Sequence, residues 1–288
     1  MFNPSGISSW EQDMGIIDFF QKNKKKQENN MSEINSENSS NPVFTFIALR
    51  EEIVPKWHSI SKILEENFSL DSEITNIEEE KDRISGYVAN GVLSIALMPA
   101  PIPWADLEGP CETAWYWPDA KEQMEKHNAH LIVTVMATNL DKIDANLLLT
   151  KLISATALAS NAIGIYWGSG TLVHSCETFM EFNQGISREQ LPLYNWIDFR
   201  VNPEENGNYT LFSTGMKAFE LMEIEIVDSE SPPNVLIDKA FNIAHYLLDN
   251  GPILNDGDTI GFTESEKIKI SHTASIWDKK TKVYKLNF

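Results

Sequence analysis

The sequence predicts an α+β fold with mixed, mostly antiparallel sheets and helices packed on one face. Two observations predict it: amphipathic helices at 55–68 and 234–249 are mixed with short apolar strands, and no strand–helix–strand crossover unit repeats along the chain. The chain has 288 residues and is 42% hydrophobic, which is enough to build a substantial core. We expect a disordered tail at 1–42, followed by two α+β halves of similar size, 43–190 and 191–288, that pack on each other.

The first half begins with a strand, a helix with proline in its first turn and a second strand, predicted at 44–49, 55–68 and 88–97. The near-continuous apolar run 130–137 predicts a central strand that is covered on both faces. The run 145–162 is rich in Ala and Leu and predicts a buried helix, which we expect to end in a left-handed cap at Gly164. A fourth strand, 165–167, then ends at the turn 168–170.

Ser175 is predicted to be the N-cap of a short helix that contains Phe179 and Phe182. The remaining elements are a hairpin, a strand, a helix and two closing strands, predicted at 195–201 with 209–213, 222–227, 234–249, 267–276 and 282–288. The alternating pattern of 222–227 places its glutamates on the solvent face.

The predicted tail is dominated by Asn, Ser, Glu and Gln, which offer too few apolar groups to offset the entropy of ordering. Its residues 14–26 contain two Phe, two Ile and four Lys, and they predict at most a weak contact with an anionic membrane surface. No stretch approaches about 18 consecutive apolar residues, so we expect no stable membrane insertion. The two cysteines, Cys111 and Cys176, are too few for a disulfide framework, and we expect a cytoplasmic location.

The charge of the chain bears on its partners. Lys and Arg number 23 against 42 Asp and Glu, which gives a net charge of −19. Proteins that bind nucleic acids need basic side chains to neutralise phosphates, so we expect no nucleic-acid partner. The acidic balance favours basic partners.

The segment Met98–Pro118 has the most unusual composition, with five prolines and three tryptophans. We interpret it as an irregular loop that its prolines pre-organise. Its aromatic side chains either cap the core or, together with the aromatic pair that follows the buried helix, form a binding surface. The candidate binding residues are Trp104, Glu108, Trp115, Trp117, Tyr166 and Trp167.

Candidate catalytic residues are Glu108, Cys111 and His174. Cys111 and His174 form a nucleophile and its base if strands 88–97 and 163–167 run parallel, whereas in an antiparallel arrangement the two residues part. Cys111 is otherwise an inert, half-buried hydrophobe, and its acidic neighbours oppose a thiolate. The Gly-x-Gly around Ser169 fits a tight turn better than a phosphate cradle or a nucleophile elbow.

Metal and cofactor motifs do not stand out in the sequence. The pair His127 and His130 spans the end of a helix and the start of a strand, where two imidazole rings need not converge on one ion. The acids around Gly257 are too few for a calcium loop. We therefore expect no metal and no cofactor.

Several motifs together carry a family resemblance: Leu97–Cys111, Trp115–Pro118, Tyr166–His174, Leu191–Leu193, Thr214–Met216 and Asp256–Gly261. With these motifs in this order, the chain resembles the bacterial family called domain of unknown function 4261, from about Phe44 to the C-terminus. The resemblance implies a soluble bacterial protein without an established activity, catalytic residue or cofactor. It draws attention to Trp104, Glu108, Cys111, Tyr166, Trp167 and His174 without assigning a role to any of them.

Two functions are compatible with this sequence. The first is a non-catalytic protein-binding module that neutralises a basic partner such as a toxin domain, as an immunity protein does. The alternative is a hydrolase or transferase whose pocket is formed by 98–118 and 166–174, with Glu108 or His174 as the acid–base group.

Overall fold

The computed structural model describes residues 42–261 and 267–287. The expectations for a disordered tail and for a membrane contact through 14–26 fall outside these ranges, apart from Pro42. The described residues form seven α-helices and thirteen strands in two mostly antiparallel sheets, which confirms the α+β class. Within the same ranges, no helix has the length and apolar character that a membrane crossing requires.

The elements between residues 43 and 182 are β1 (Val43–Leu49), α1 (Trp57–Asn67), β2 (Thr75–Glu79), β3 (Arg83–Val88), β4 (Gly91–Met98), α2 (Trp104–Thr113), α3 (Ala120–Met124), β5 (Ala129–Met136), α4 (Lys142–Leu158), β6 (Ala162–Trp167), β7 (Leu172–Ser175) and α5 (Cys176–Phe182). Their strands form the first sheet, in the order β2-β3-β4-β5-β1-β6-β7. Every neighbouring pair in this sheet is antiparallel.

The elements that follow are α6 (Leu193–Trp196), β8 (Asp198–Pro203), β9 (Tyr209–Thr214), β10 (Glu223–Ser229), α7 (Pro233–Asn250), β11 (Thr259–Ile260), β12 (Ile268–Ala274) and β13 (Lys282–Asn287). Their strands form the second sheet, in the order β11-β12-β13-β10-β9-β8. Strands β10 and β13 run parallel. Residues 275–281 form the turn between β12 and β13, in which the Asp278 carboxylate accepts hydrogen bonds from the backbone N–H groups of Lys280 and Thr281.

Strand β5 occupies the centre of the first sheet, as its apolar run predicts. The predicted strand at 88–97 begins later than expected, because Ala89 and Asn90 have positive φ and form the turn between β3 and β4. Gly91 then starts β4 beside the end of β5, where a Cβ atom would lie 1.9 Å from the carbonyl oxygen of Met136. The sequence does not predict the preceding hairpin of β2 and β3. Strand β2 buries none of its side chains, so it has no apolar pattern that would mark it as a strand.

Helix α4 is buried over most of its length, as predicted, and begins where the Asp141 side chain accepts a hydrogen bond from Asp144 N. The expected cap at Gly164 is wrong: the helix ends at Leu158, and Gly164 lies within β6, paired with Ala48 and Ser175. A glycine is needed there because a Cβ atom would lie 2.8 Å from the Trp117 ring.

Helices cover both faces of the first sheet rather than one. Ile47 and Leu49 of β1 point into the main core, which includes α1 and α4. Ala48, between them, points into a second, smaller core with α2 and α3. The alternation of side chains along β1 therefore connects two layers of helices to one sheet.

Strand β10 corrects the expectation that its glutamates face solvent. Glu225 is only 2% exposed. The Glu223 carboxylate accepts hydrogen bonds from the Ser213 hydroxyl at 2.6 Å and from the backbone N–H groups of the turn after β9, that of Gly215 at 3.0 Å among them. The alternating pattern gave the wrong face because the Glu223 carboxylate binds the protein's own polar groups and Glu225 is buried.

Helix α7 agrees with its predicted inner face, since the five apolar residues expected to face inward are fully buried: Leu236, Ala240, Ile243, Ala244 and Leu247. Ser175 is the N-cap of α5, as predicted, and its hydroxyl accepts a hydrogen bond from Thr178 N at 3.0 Å.

The two sheets meet at a contact between backbone atoms. Gly170, after β6, and Gly215, after β9, both lie against the carbonyl oxygen of Trp196. A Cβ atom would lie 2.5 Å from this oxygen at position 170 and 2.4 Å from it at position 215. The Trp196 indole N–H donates to Thr150 Oγ1 at 2.9 Å and connects the contact to α4. Glycine is therefore required at both turns for the sheets to pack.

We predict that Gly170→Ala lowers the free energy of unfolding by about 3 kcal/mol, because the added methyl group overpacks a contact with backbone atoms that cannot move aside. Gly168→Ala, two residues away, is the matched control. Its Cβ atom would have no neighbour closer than 3.7 Å, so we expect a loss below about 1 kcal/mol. Urea denaturation followed by circular dichroism measures both, and equal losses would contradict the packing argument.

Candidate functional site

Helix α2 replaces the irregular loop expected at 98–118. Three prolines precede the helix and Pro103 is its N-cap, so the proline-rich part ends where the helix begins. Pro110 lies inside the helix, where it lacks the N–H that would bond to the Asp106 carbonyl. The composition of the segment concealed a regular stripe: Leu107, Cys111 and Ala114 are spaced as one helix face and are all buried.

Two histidines hold the proline-rich segment in place. The Ile102 N–H donates to His127 Nε2 at 2.7 Å, and the other ring nitrogen of His127 contacts the Met124 carbonyl oxygen. His130 Nδ1 donates to the Ala100 carbonyl at 2.8 Å, and burial lowers the pKa of His130. The two rings therefore bind the backbone, and no group of three metal-ligating side chains occurs in the described part of the chain.

Cys111 faces the second core and is 6% exposed. Burial raises the pKa of its thiol to about 12, and the nearby Glu125 carboxylate acts in the same direction. The thiol is therefore protonated at neutral pH, which agrees with the inert interpretation of this cysteine.

His174 is fully buried on β7. Its ring is stacked on Tyr116, with centroids 5.2 Å apart and planes at 16°, and it also contacts Phe179 and Phe182. Neither ring nitrogen makes a hydrogen bond of good geometry to a described residue, although the Asn195 backbone is close enough to act on the ring. Burial lowers the pKa of His174 to about 3, against a smaller opposing effect of the Asn195 backbone. The imidazole is neutral at physiological pH and does not reach solvent.

The arrangement of β4 and β6 bears on the pairing of Cys111 with His174. The order β4-β5-β1-β6 with antiparallel neighbours makes β4 and β6 antiparallel, so the turns that follow them lie at opposite ends of the sheet. However, 166–174 is a hairpin and not one loop: Tyr166 pairs with Val173, and Trp167 pairs with Leu172. Strand β7 therefore returns His174 to the end of the sheet that carries α2, where it contacts Tyr116 rather than a nucleophile.

The aromatic candidates divide between the two faces of the first sheet. Trp104, Trp117 and Tyr166 are partly buried around the second core, where the Tyr166 ring stacks on Phe46 with centroids 5.8 Å apart. Burial raises the pKa of Tyr166 to about 12, and Asp106 adds to the effect. Trp167 lies in the main core at 1% exposure. Of the five aromatic candidates, the structure thus groups three, places Trp167 in the other core and leaves Trp115 exposed in the turn after α2.

Sequence reasoning missed three polar residues near α2: Arg200 and Asp198 connect α2 to the second sheet, and Tyr116, in the turn after α2, connects that turn to β7 of the first sheet. Arg200 Nη2 donates to Asp198 Oδ2 at 2.5 Å and to Thr113 Oγ1 at 2.9 Å. The Tyr116 hydroxyl donates to the Val173 carbonyl at 3.0 Å. Burial raises the pKa of both Asp198 and Tyr116. The sequence offers one signal for the ion pair: Asp198 and Arg200 are two residues apart and therefore lie on the same face of a strand. Nothing in the sequence places that strand beside α2.

The outward side of α2 and α3 is acidic, and we call it the α2–α3 acidic surface. Its members are all exposed: Glu108, Glu112, Trp115, Asp119, Glu122 and Glu125. Lys121 pairs with Glu112 at 3.7 Å and Lys126 pairs with Glu122 at 2.9 Å. The carboxylates of Glu108, Asp119 and Glu125 have no ion-pair partner among the residues that the structure describes. Trp115 is 77% exposed and stands in the turn between the two helices.

The comparison with family models concerns the C-terminal part of the chain. The model described as Domain of unknown function (DUF4261) matches residues 212–287. This confirms the family resemblance. The DUF4261 match runs from the middle of β9 to the end of β13 and contains the motifs Thr214–Met216 and Asp256–Gly261, so it is shorter than the span from Phe44. No curated protein and no solved structure matches the chain significantly. The α2–α3 acidic surface lies outside the residues matched by DUF4261.

We predict that His174 makes stability depend on pH. Its pKa of about 3 in the folded protein lies below the ordinary value of 6.5, so the unfolded chain binds a proton between these values that the folded protein does not bind. This contribution to stability is complete above pH 6.5 and is lost as the pH falls toward 3. Between pH 8 and pH 5 the loss is about 2 kcal/mol.

His174→Phe keeps an aromatic ring but cannot titrate, so its free energy of unfolding falls less between pH 8 and pH 5 than that of the wild type. Urea denaturation at the two pH values measures the difference. His58→Gln, at an exposed position, is the control and retains the wild-type dependence. An unchanged pH dependence in His174→Phe would show that this histidine is not the group responsible.

We also predict that Cys111 reacts slowly with iodoacetamide. A pKa of about 12 instead of 9.0 lowers the thiolate fraction at neutral pH by about a thousandfold. The Cys176→Ser variant isolates the signal of Cys111, and the same variant in concentrated urea gives the rate of the accessible thiol. Labelling of the folded protein at the rate of the unfolded one would restore Cys111 as a reactive residue.

Proposed function

We propose that the protein is a non-catalytic protein-binding module of the bacterial cytoplasm that binds and neutralises a basic partner, such as a toxin domain, as an immunity protein does. The observation that carries the proposal is the α2–α3 acidic surface, with Trp115 exposed in the turn between its two helices. The partner is a folded protein whose contact face presents Lys and Arg side chains.

Trp115 has the properties of an interface anchor. Tryptophan is over-represented among the residues that dominate binding energy, because a rigid, large ring loses little entropy when it is buried. Its exposure of 77% leaves most of the ring available to a partner. The Trp115 ring also contacts Tyr116 edge-on, with centroids 5.5 Å apart, and Tyr116 in turn stacks on His174. The exposed anchor thus rests on buried aromatic side chains that limit its motion.

The charges around Trp115 support a basic partner. Five carboxylates and two lysines lie on the α2 and α3 side, and the net charge of −19 extends the negative field beyond it. Glu108 and Glu112 are one helical turn apart on α2, so both face the same approaching surface. Such a field raises the association rate with a positive partner and disfavours other acidic proteins.

The states of the catalytic candidates support a binding role over a reaction. A hydrolase or transferase needs a base or a nucleophile that touches its substrate. His174 is neutral and fully buried, Cys111 is buried and protonated, and Glu108 is exposed on the surface of α2. The free thiols of Cys111 and Cys176 support a reducing compartment such as the cytoplasm.

The experiment is a capture from the source cells with the intact protein as bait, repeated with Trp115→Ala, Glu108→Lys and Tyr87→Ala baits. Tyr87 is 46% exposed on β3 and is the control for loss of an exposed aromatic residue. We expect one basic protein at stoichiometric amount with the wild type and with Tyr87→Ala. With purified partner, Trp115→Ala weakens binding about thirtyfold or more in calorimetry, and Glu108→Lys slows association most strongly at low salt.

Two results would contradict the proposal. One is the absence of any stoichiometric partner under conditions in which the bait is folded. The other is a partner that binds Trp115→Ala and Glu108→Lys as tightly as it binds the wild type.

A further inference from the structure

The segment 99–103 connects β4 to α2 and has few backbone N–H groups that can form hydrogen bonds. Three of its five residues are prolines, which have no N–H, so the segment offers only the N–H groups of Ala100 and Ile102. The Ile102 N–H donates to His127 Nε2, and the Ala100 carbonyl accepts from His130 Nδ1. The two histidines therefore supply side-chain anchors for the backbone of this segment.

The two hydrogen bonds differ in how they respond to a proton. His127 accepts through Nε2, so this nitrogen carries no hydrogen, and the hydrogen of the neutral ring lies on Nδ1, toward the Met124 carbonyl. An imidazolium has two donors and no acceptor, so protonated His127 turns an N–H toward the N–H of Ile102. His130 donates to its carbonyl in either charge state and keeps its bond.

We propose that His127 is a proton switch for the α2–α3 acidic surface: when its imidazole gains a proton, it releases Ile102 and the start of α2, and the surface loses its fixed shape. The inference rests on the proposed function, since it concerns the regulation of the same surface. A basic partner bound at neutral pH would then dissociate in mild acid.

The structure provides the path from the switch to the surface. Trp104, the first residue of α2, is two residues beyond Ile102. The N-cap Pro103 makes no side-chain hydrogen bond to the first turn of the helix, so the turn depends on the segment that precedes it. Ile102 itself is buried in the second core, and its displacement loosens the contacts that hold α2.

The elements next to His127 carry charged groups of both signs. The proline-rich segment has no titratable side chain, β5 contributes His130, and α2 and α3 with its following turn contribute the rest. The titratable and charged side chains on these helices and the turn are Asp106, Glu108, Cys111, Glu112, Lys121, Glu122, Glu125 and Lys126. A proton on His127 Nε2 competes directly with the hydrogen bond from Ile102.

The first test measures the switch without any partner. Hydrogen exchange of the Ala100 and Ile102 amides is followed at pH 7.5 and pH 5.5 in the intact protein and corrected for the intrinsic pH dependence of exchange. We expect protection of Ile102 to fall about tenfold or more in the wild type. His127→Gln keeps an acceptor and a donor without titrating, so its protection stays constant. His130→Asn keeps a donor for Ala100 and retains the wild-type dependence.

The nitrogen-15 chemical shifts of the His127 ring in the wild type provide a second measurement that does not depend on a variant folding. We expect Nδ1 to carry the hydrogen at pH 7.5 and the Ile102 amide shift to follow the titration of the ring. Protection of Ile102 that is equal at both pH values, or that falls equally in His127→Gln, would overturn the switch.

A captured partner adds a readout that separates this inference from the proposed function. Its affinity for the wild type should weaken at pH 5.5, and its affinity for His127→Gln should weaken less. A partner that loses affinity equally for both proteins overturns the switch but leaves the proposed function standing. The hydrogen-exchange measurement needs no partner and tests the His127 switch by itself. If no partner is captured, the proposed function fails, and the regulatory role of His127 fails with it.

Discussion

The contact of Gly170 and Gly215 with the carbonyl oxygen of Trp196 is the constraint on which the rest of the arrangement depends. It brings the turn after β6 against the turn after β9 with no side chain between them, and so fixes the distance between the two sheets. In the same arrangement Arg200 of β8 reaches Thr113 of α2, and His174 of β7 lies against Tyr116.

The buried polar groups near this junction stabilise one arrangement at a cost in solvation. Arg200 and Asp198 share a charge-assisted hydrogen bond, and a buried pair of this kind contributes more to geometry than to net stability. His174 is held neutral among aromatic rings, where it packs as a flat, apolar surface. These residues support α2 from behind, while its outward side carries the exposed carboxylates of Glu108 and Glu112. Two side chains that look catalytic in the sequence, Cys111 and His174, are thus packed in the interior, and under the proposed function the outward acidic side is what a partner would meet.

The sequence predicts well those elements whose pattern is local. The apolar run of β5, the all-apolar α4 and the inner face of α7 each follow from side chains a few residues apart. The sequence prediction fails where a residue far away in the chain determines the local structure. Gly164 has the pattern of a helix cap, but the structure packs it against the Trp117 ring. Glu223 has the pattern of a surface residue, but the turn at Gly215 donates hydrogen bonds to its carboxylate. The prolines of 98–118 suggest a loop because proline marks helix ends, although here the prolines at 99, 101 and 103 lie before the helix and Pro110 is tolerated inside it. Tyr116, Asp198 and Arg200 come together through the order of strands, which no local pattern contains.

The hairpin of β6 and β7 has a further consequence for the register of the strands. A glycine stands near each end of it: Gly164 beneath the Trp117 ring, and Gly170 against the Trp196 carbonyl. A slip of β6 by one residue would place Ile163 or Ile165 beneath that ring, where not even a Cβ atom fits, and would exchange the faces of Tyr166 and Trp167. The absence of two side chains therefore disfavours misaligned pairings of this edge once Trp117 and Trp196 are in place.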